Sequence, residues 1–241
     1  MFIANKKLQL TFIFFSFIVV PIVALVCLGI GRYALTPFQI VKVFGDLISG
    51  ADTDVMAKTV ILKVRLPRII LAIFIGGGLA CSGAAFQGLF SNPLATPDTL
   101  GVASGASFGA VLAMLFHANL IMIQLCALAF GLVACFVTYK MGQVRGKQSM
   151  IMIVLAGIVV SSLVQAMVSL VKYLADPEDQ LPSITYWLMG SMASANYRNL
   201  LFGLPFIIVG VVFLYFIRWR INILSLNEDE ARSMGINLRL L

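Results

Sequence analysis

The chain has 241 residues, 61% of them hydrophobic and 11% charged, whereas charged residues make up about a quarter of a soluble domain. That balance excludes a soluble enzyme or polar binding module and predicts an all-α polytopic membrane protein. The net charge of +7 is dispersed at helix ends and never forms a basic run with interleaved aromatics, so it reads as membrane topology and not as a nucleic-acid interface.

In chain order, Lys6 and Lys7 precede an apolar run from Leu8 to about Ile30. It is long enough to span a bilayer and has no small-residue cleavage site, so it reads as a retained first helix, not a signal peptide. Thr36 and Pro37 form an N-cap and first-turn proline ahead of a short amphipathic helix on a membrane surface, with Phe38, Val41, Phe44 and Ile48 apolar. A polar turn with Asp52 and Asp54 leads to a second span from about Arg65 to Phe90. Its small residues recur at every fourth position, Ala72, Gly76, Ala80, Ala84 and Gly88, and a second row follows at Gly101, Gly105, Gly109 and Ala113. Rows of small residues let helices approach closely in lipid, so both helices are expected to be interior.

Asn92-Pro93 ends the second span, and Thr96-Pro97-Asp98 is expected to cap a third that reaches Phe116. His117 and Asn119 mark a tight turn. Further spans run from about Leu120 to Tyr139, Met150 to Lys172 and Leu200 to Phe216, with an acidic turn at Asp176 to Asp179 and a short aromatic element, ITYWLMG, between the last two. Cys27, Cys81, Cys126 and Cys135 all lie in apolar stretches without metal-ligand spacing and read as packing thiols. With the N-terminus cytoplasmic, the basic residues at 140–147 and Arg218 and Arg220 fall inside and the acidic turn outside. Lys58, Lys63, Arg65 and Arg68 then stand on the outer side, either snorkelling to phosphates or meeting a partner.

The motifs RLPR at 65–68, G-x-x-L-A-x-S-G-A-x-x-Q at 76–87 and NPLA-x-P-x-x-LG-V-x-x-G-A at 92–106 resemble the FecCD-like permease subunit of ABC importers for iron-siderophore complexes, haem and cobalamin. YWLMGS at 186–191 is similar to that family's outer short helix, and LNEDEARSMG at 226–235 to its cytoplasmic coupling segment. The resemblance implies six spanning helices of a ten-helix fold, in a single permease domain over 1–241 with 225–241 as coupling segment. The family's last four helices have no counterpart before Leu241, so the chain is expected to be a truncated permease that does not transport alone.

Further expectations rest on the resemblance. Arg65 and Arg68 would dock an external substrate-binding protein. Glu228, Asp229, Glu230, Ala231, Arg232 and Gly235 would couple to partner ATPases, with the acidic residues at a helix start where the dipole favours them. Ser149, Met150 and Ile151 would stand at a cytoplasmic gate. A second permease subunit, membrane lipid and an iron chelate, a ferric siderophore first, complete the partners. The place is a bacterial inner membrane.

Read from the residues, Gln87, Asn92 and Ser104 are pathway candidates because they are the polar groups near the central helix pair. No Gly-rich phosphate loop with its lysine occurs, so no cofactor is expected to bind directly and ATP is used by partner subunits. An ion-coupled secondary transporter is the alternative, disfavoured because the spans hold no acidic or histidine relay away from their ends. A non-transporting membrane scaffold is the other alternative. Gly105 to Gly109 matches G-x-S-x-G on paper, but the match falls within a small-residue helix and His117 is the sole histidine.

Overall fold

The computed structural model describes residues 6–50, 54–90, 92, 96–144, 147–148, 150–193 and 195–224. Nine α-helices are present among them: α1 Lys6–Gly29, α2 Pro37–Ser49, α3 Val55–Thr59, α4 Leu66–Phe90, α5 Val102–Leu115, α6 Leu120–Met141, α7 Met150–Leu174, α8 Gln180–Met189 and α9 Tyr197–Leu224. A π-helical turn, Val60–Arg65, joins α3 to α4, and a 3₁₀ turn, Pro97–Leu100, precedes α5. Strands β1 Gln143–Val144 and β2 Lys147–Gln148 pair antiparallel between α6 and α7. Four stretches are long and apolar enough to cross a membrane, Val55–Phe90, Leu120–Met141, Ile151–Leu174 and Tyr197–Ile223. The chain is a multi-pass membrane protein.

Two compact units divide the structure, Met1–Ile75 with Met192–Leu204, and Gly76–Ser191 with Pro205–Leu241. In the first, α2 begins as its sequence demands. The Thr36 hydroxyl accepts from the Gln39 amide at 3.3 Å and the Gln39 side chain accepts from the Thr36 amide at 2.8 Å, a reciprocal capping box behind Pro37. Ile40 and Val43 point inward to a core with Leu28, Leu35, Ala57 and Ile61, and Phe44 packs against it. Phe38, Val41 and Ile48 form a separate outward stripe, 77%, 70% and 90% exposed, as expected of a helix lying against lipid. The span expected to begin at Arg65 begins ten residues earlier, at Val55. Asp54 makes that start possible by accepting the Met56 amide at 3.0 Å as N-cap.

In the second unit α5, α6 and α7 pack closely. Gly105 and Gly109 lie against the α6 backbone, where an added Cβ would stand 2.6 Å from the Phe130 carbonyl oxygen and 2.8 Å from the Phe130 Cβ respectively. The row reading holds there. Gly101 is not part of it: with φ 71° it is the left-handed residue between the 3₁₀ turn and α5. The third span therefore differs from expectation. Thr96 heads the 3₁₀ turn without a side-chain cap, and α5 has 14 residues, about 21 Å against a hydrocarbon core of roughly 30 Å.

The turn itself is held on two sides. The buried Thr138 hydroxyl donates to the Leu100 carbonyl at 3.0 Å, and the Thr99 carbonyl rests against the bare backbone of Gly157 on α7. Helix α5 closes with His117 at φ 53°, while His117 and Ala118 donate to Met114 and Ala113 in the pattern of a Schellman motif. Asn119 then caps α6 through the Met122 amide.

The α4 row departs from expectation. Gly78 and Gly88 meet Ile207 and Ile221 of α9, but nothing among the described residues lies within 4 Å of a Cβ built on Gly76 or Gly83. Ala72, Gly76, Ala80 and Ala84 are exposed. The four-residue spacing marked a face that, among the described residues, is covered at Gly88 and uncovered at Gly76.

Candidate functional site

The RLPR residues lie in the first unit, where the π-turn meets α4. Arg65 is turned inward and only 9% exposed. Its Nη1 donates to the Leu28 carbonyl and its Nη2 to the Tyr33 carbonyl. Leu28 is in the last turn of α1, whose final carbonyls have no partner within the helix, so the guanidinium serves as a C-cap. Gly31 leaves the space for it, since a Cβ there would sit 2.6 Å from Arg65 Nη2.

Arg68, one turn on, is half-buried; its Nη2 donates to the Ala193 carbonyl, and its buried Nε has no hydrogen-bond partner among the described residues. Tyr197 donates to the Leu62 carbonyl at 2.7 Å, a second tie between Met192–Leu204 and the π-turn. Lys58 and Lys63 on the same stretch are exposed.

Beside the clamp, the Tyr33 hydroxyl donates to Asp54 at 3.3 Å. The negative charge of Asp54 acts first, then desolvation and the hydrogen bond, and together they raise the Tyr33 pKa above its ordinary value. Asp54 also caps α3, so one carboxylate serves the loop after α1 and the helix before Arg65.

In the second unit an open groove of about 510 Å³ is lined by Ser104 of α5 and by Ser161, Ser162, Gln165, Ala166 and Ser169 of α7. The α7 residues 162, 165, 166 and 169 share one helical face. Ser162 and Ser169 donate to the carbonyls of Ile158 and Gln165 at 2.8 and 3.1 Å, which satisfies their protons and leaves oxygen lone pairs available to a solute. Among the described residues the lining carries hydroxyl and amide groups and no titratable side chain. It can solvate a polar solute in passing but cannot relay protons or hold a charge by ion pairing.

Of the expected pathway residues, Ser104 is in this groove. Gln87 and Asn92 are not; the Asn92 amide donates to the Gln87 carbonyl at 3.2 Å and closes the end of α4. Ser162, Gln165 and Ser169 of α7 were missed, although their 3-and-4 spacing was a usable signal. Ile151 is exposed at the start of α7, which Met150 begins. Ser149 and the coupling residues Glu228, Asp229, Glu230, Ala231, Arg232 and Gly235 lie outside the described residues. Ser107 of the paper G-x-S-x-G match sits mid-helix in α5, without the strand-to-helix elbow a nucleophile needs.

The chain is similar to the molybdate import system permease protein MolB of Haemophilus influenzae, 39% identical over 218 residues, 90% of this chain and 64% of MolB. It is 32% identical over 234 residues to the hemin transport system permease protein HmuU of Yersinia pestis, covering 93% of this chain and 66% of HmuU. A solved inward-facing structure described as of metal-chelate ABC transporter type superposes with a TM-score of 0.78 at 36% identity, covering 95% of this chain and 69% of that one. The chain thus spans about two thirds of the length of these relatives. Residues 18–241 match the FecCD transport family, and the chain belongs to that family.

Proposed function

We propose that the chain is the membrane-spanning permease component of an ABC importer that carries an iron chelate, a ferric siderophore first, into the cytoplasm. The observation that carries this reading is the uncharged groove around Ser104 and α7 in a member of the FecCD transport family. A conduit must receive its solute without trapping it, and a wall of hydroxyls and one amide offers weak, replaceable hydrogen bonds in place of a charge. The absence of titratable groups from that lining also supports an energy source outside the membrane over ion coupling.

In this reading ATP hydrolysis occurs on separate ATPase subunits, which the segment at 225–241 engages. A second permease subunit completes the pathway. An external binding protein delivers the chelate to the rim around Arg68, with the N-terminus cytoplasmic in a bacterial inner membrane. A second cargo, molybdate, is favoured by the 39% identity to MolB; a tetrahedral oxyanion would suit small hydroxyl-bearing walls.

The test is ATP-driven uptake into proteoliposomes by the protein with its second permease subunit, ATPase and binding protein, offering ferric siderophore, haem, cobalamin and molybdate in parallel. Uptake of the ferric chelate, lost in Ser162→Leu with Gln165→Leu, is expected. Molybdate uptake alone would replace the cargo, and an ion-gradient-driven flux without ATPase would overturn the importer reading.

A further inference from the structure

Histidine changes its charge between about pH 5 and 8, and the chain has one, His117. It stands at the corner between α5 and α6, exposed and with its backbone in the left-handed region at φ 53°. Its partner comes from the start of α8. The Gln180 side-chain amide meets three groups: its Nε2 donates to the Leu115 carbonyl at 3.1 Å, its Oε1 accepts from the Asp176 amide at 3.3 Å, and its Nε2 stands 2.8 Å from His117 Nε2. Two of these groups have no choice of role. A carbonyl only accepts and a backbone N–H only donates, so together they fix which end of the Gln180 amide is which. The second N–H of that amide is then the one shared with His117, whose Nε2 has to supply a lone pair. The ring in this contact is neutral and carries its proton on Nδ1.

We propose that this contact is a proton-sensitive latch: neutral His117 holds the start of α8 to the α5–α6 corner, and protonation of its Nε2 releases it. A proton on Nε2 sets donor against donor across 2.8 Å. Turning the Gln180 amide over relieves nothing, because Oε1 would then face the Leu115 carbonyl and Nε2 the Asp176 amide, two conflicts in place of one. The exposed imidazolium therefore leaves for solvent, and Gln180 keeps its two backbone bonds.

The elements around the ring leave the histidine as the group that answers. Helix α5 and the first turn of α6 carry no charged or titratable side chain, and α8 has none before Tyr186. The last turn of α7 brings Lys172 and Tyr173, and the turn before α8 brings Asp176, Glu178 and Asp179, where Asp176 Oδ1 is engaged with the amides of Glu178 and Asp179 at 2.8 and 3.4 Å. Further along α8, Leu181 and Ile184 are held in the core with Phe108, Val111 and Val168. Release thus loosens the first turn of α8 and the end of α5 without freeing the whole helix. The latch reads proton activity on the side of the membrane that bears the acidic turn, the outer side in the topology proposed above.

The test uses the full protein in nanodiscs, and none of its readouts depends on the importer reading. With one histidine in the chain, selective nitrogen-15 labelling reports a single ring; near neutral pH it should show the Nδ1–H tautomer, and an Nε2–H tautomer would overturn the assignment. Hydrogen–deuterium exchange over residues 113–119 and 177–184, corrected for the intrinsic effect of pH, should quicken by about threefold or more between about pH 7.5 and 5.5. His117→Asn, which tolerates the left-handed backbone and does not titrate, should lose that response. Gln180→Glu should reverse it, because a carboxylate accepts from the imidazolium and the same drop in pH then slows exchange. A response that survives in His117→Asn would belong to the acidic turn and overturn the latch, and so would a Gln180→Glu response of unchanged sign.

Discussion

Each of the two units is held together internally, and by opposite means. The first relies on directed polar contacts: a capping box, an aspartate shared between two segments, and a guanidinium that gathers stray carbonyls. The second relies on missing side chains, with glycines at 105, 109 and 157 admitting the backbone of a neighbour. The contrast follows from the medium. Where the chain unwinds at a helix end, backbone groups lose their partners and must be given new ones. Within the bundle every helix satisfies itself, and what remains to be gained is close approach.

This contrast can be broken by substitution, and the largest effect is expected at Gly157. Any Cβ there overlaps the Thr99 carbonyl, so Gly157→Val should cost more than about 3 kcal/mol, enough to remove the folded fraction seen by size-exclusion thermostability. Arg65→Ala comes next, at about 2–3 kcal/mol, because the buried Leu28 carbonyl and the part-buried Tyr33 carbonyl lose charge-assisted donors; chemical denaturation in detergent measures it. Thr138→Val is nearly isosteric and leaves the Leu100 carbonyl unsatisfied, which should cost about 1–2 kcal/mol by the same measurement.

Gly76→Ala sharpens the comparison from the other side. No neighbour among the described residues meets its Cβ, so it should be neutral or stabilising by up to about 1 kcal/mol through helix propensity. Clear destabilisation there would show that the bare α4 face is covered in the working protein.

The smallest effect concerns titration. The pKa of Tyr33 is raised by Asp54, so the folded protein holds that proton more tightly than the unfolded chain. The contribution to stability is fully present below the ordinary tyrosine pKa and is lost as pH rises through the raised value. Asp54→Asn should bring the pKa back down, read as tyrosinate absorbance against a Tyr33→Phe reference.

Much of this was legible in sequence because the signals were local. Thr36-Pro37 and the tight turn at His117 and Asn119 are read within a few residues, and they stand where expected. The Gly105 and Gly109 row was legible because a four-residue period survives whatever packs on it. The inward turn of Arg65 was not, since its acceptors are backbone atoms more than 30 positions away, and backbone acceptors leave no mark on composition. The third span misled for a related reason: Thr96 and Pro97 make a good start for any helix, and only the left-handed Gly101 shows that the first turn is 3₁₀ and the helix begins anew. Ser104 was found by its polarity, whereas the serines of α7 were passed over as part of an apolar span.

The seating of Thr99 on Gly157 has a mechanical meaning. With one carbonyl lodged against the bare backbone of Gly157 on α7 and the next tethered to Thr138 of α6, the turn before α5 has little slack at these two points. A push on that turn is therefore passed to α6 and α7 through those two contacts. The serine-lined groove, built on α5 and α7, therefore sits between helices that this turn keeps in mutual register.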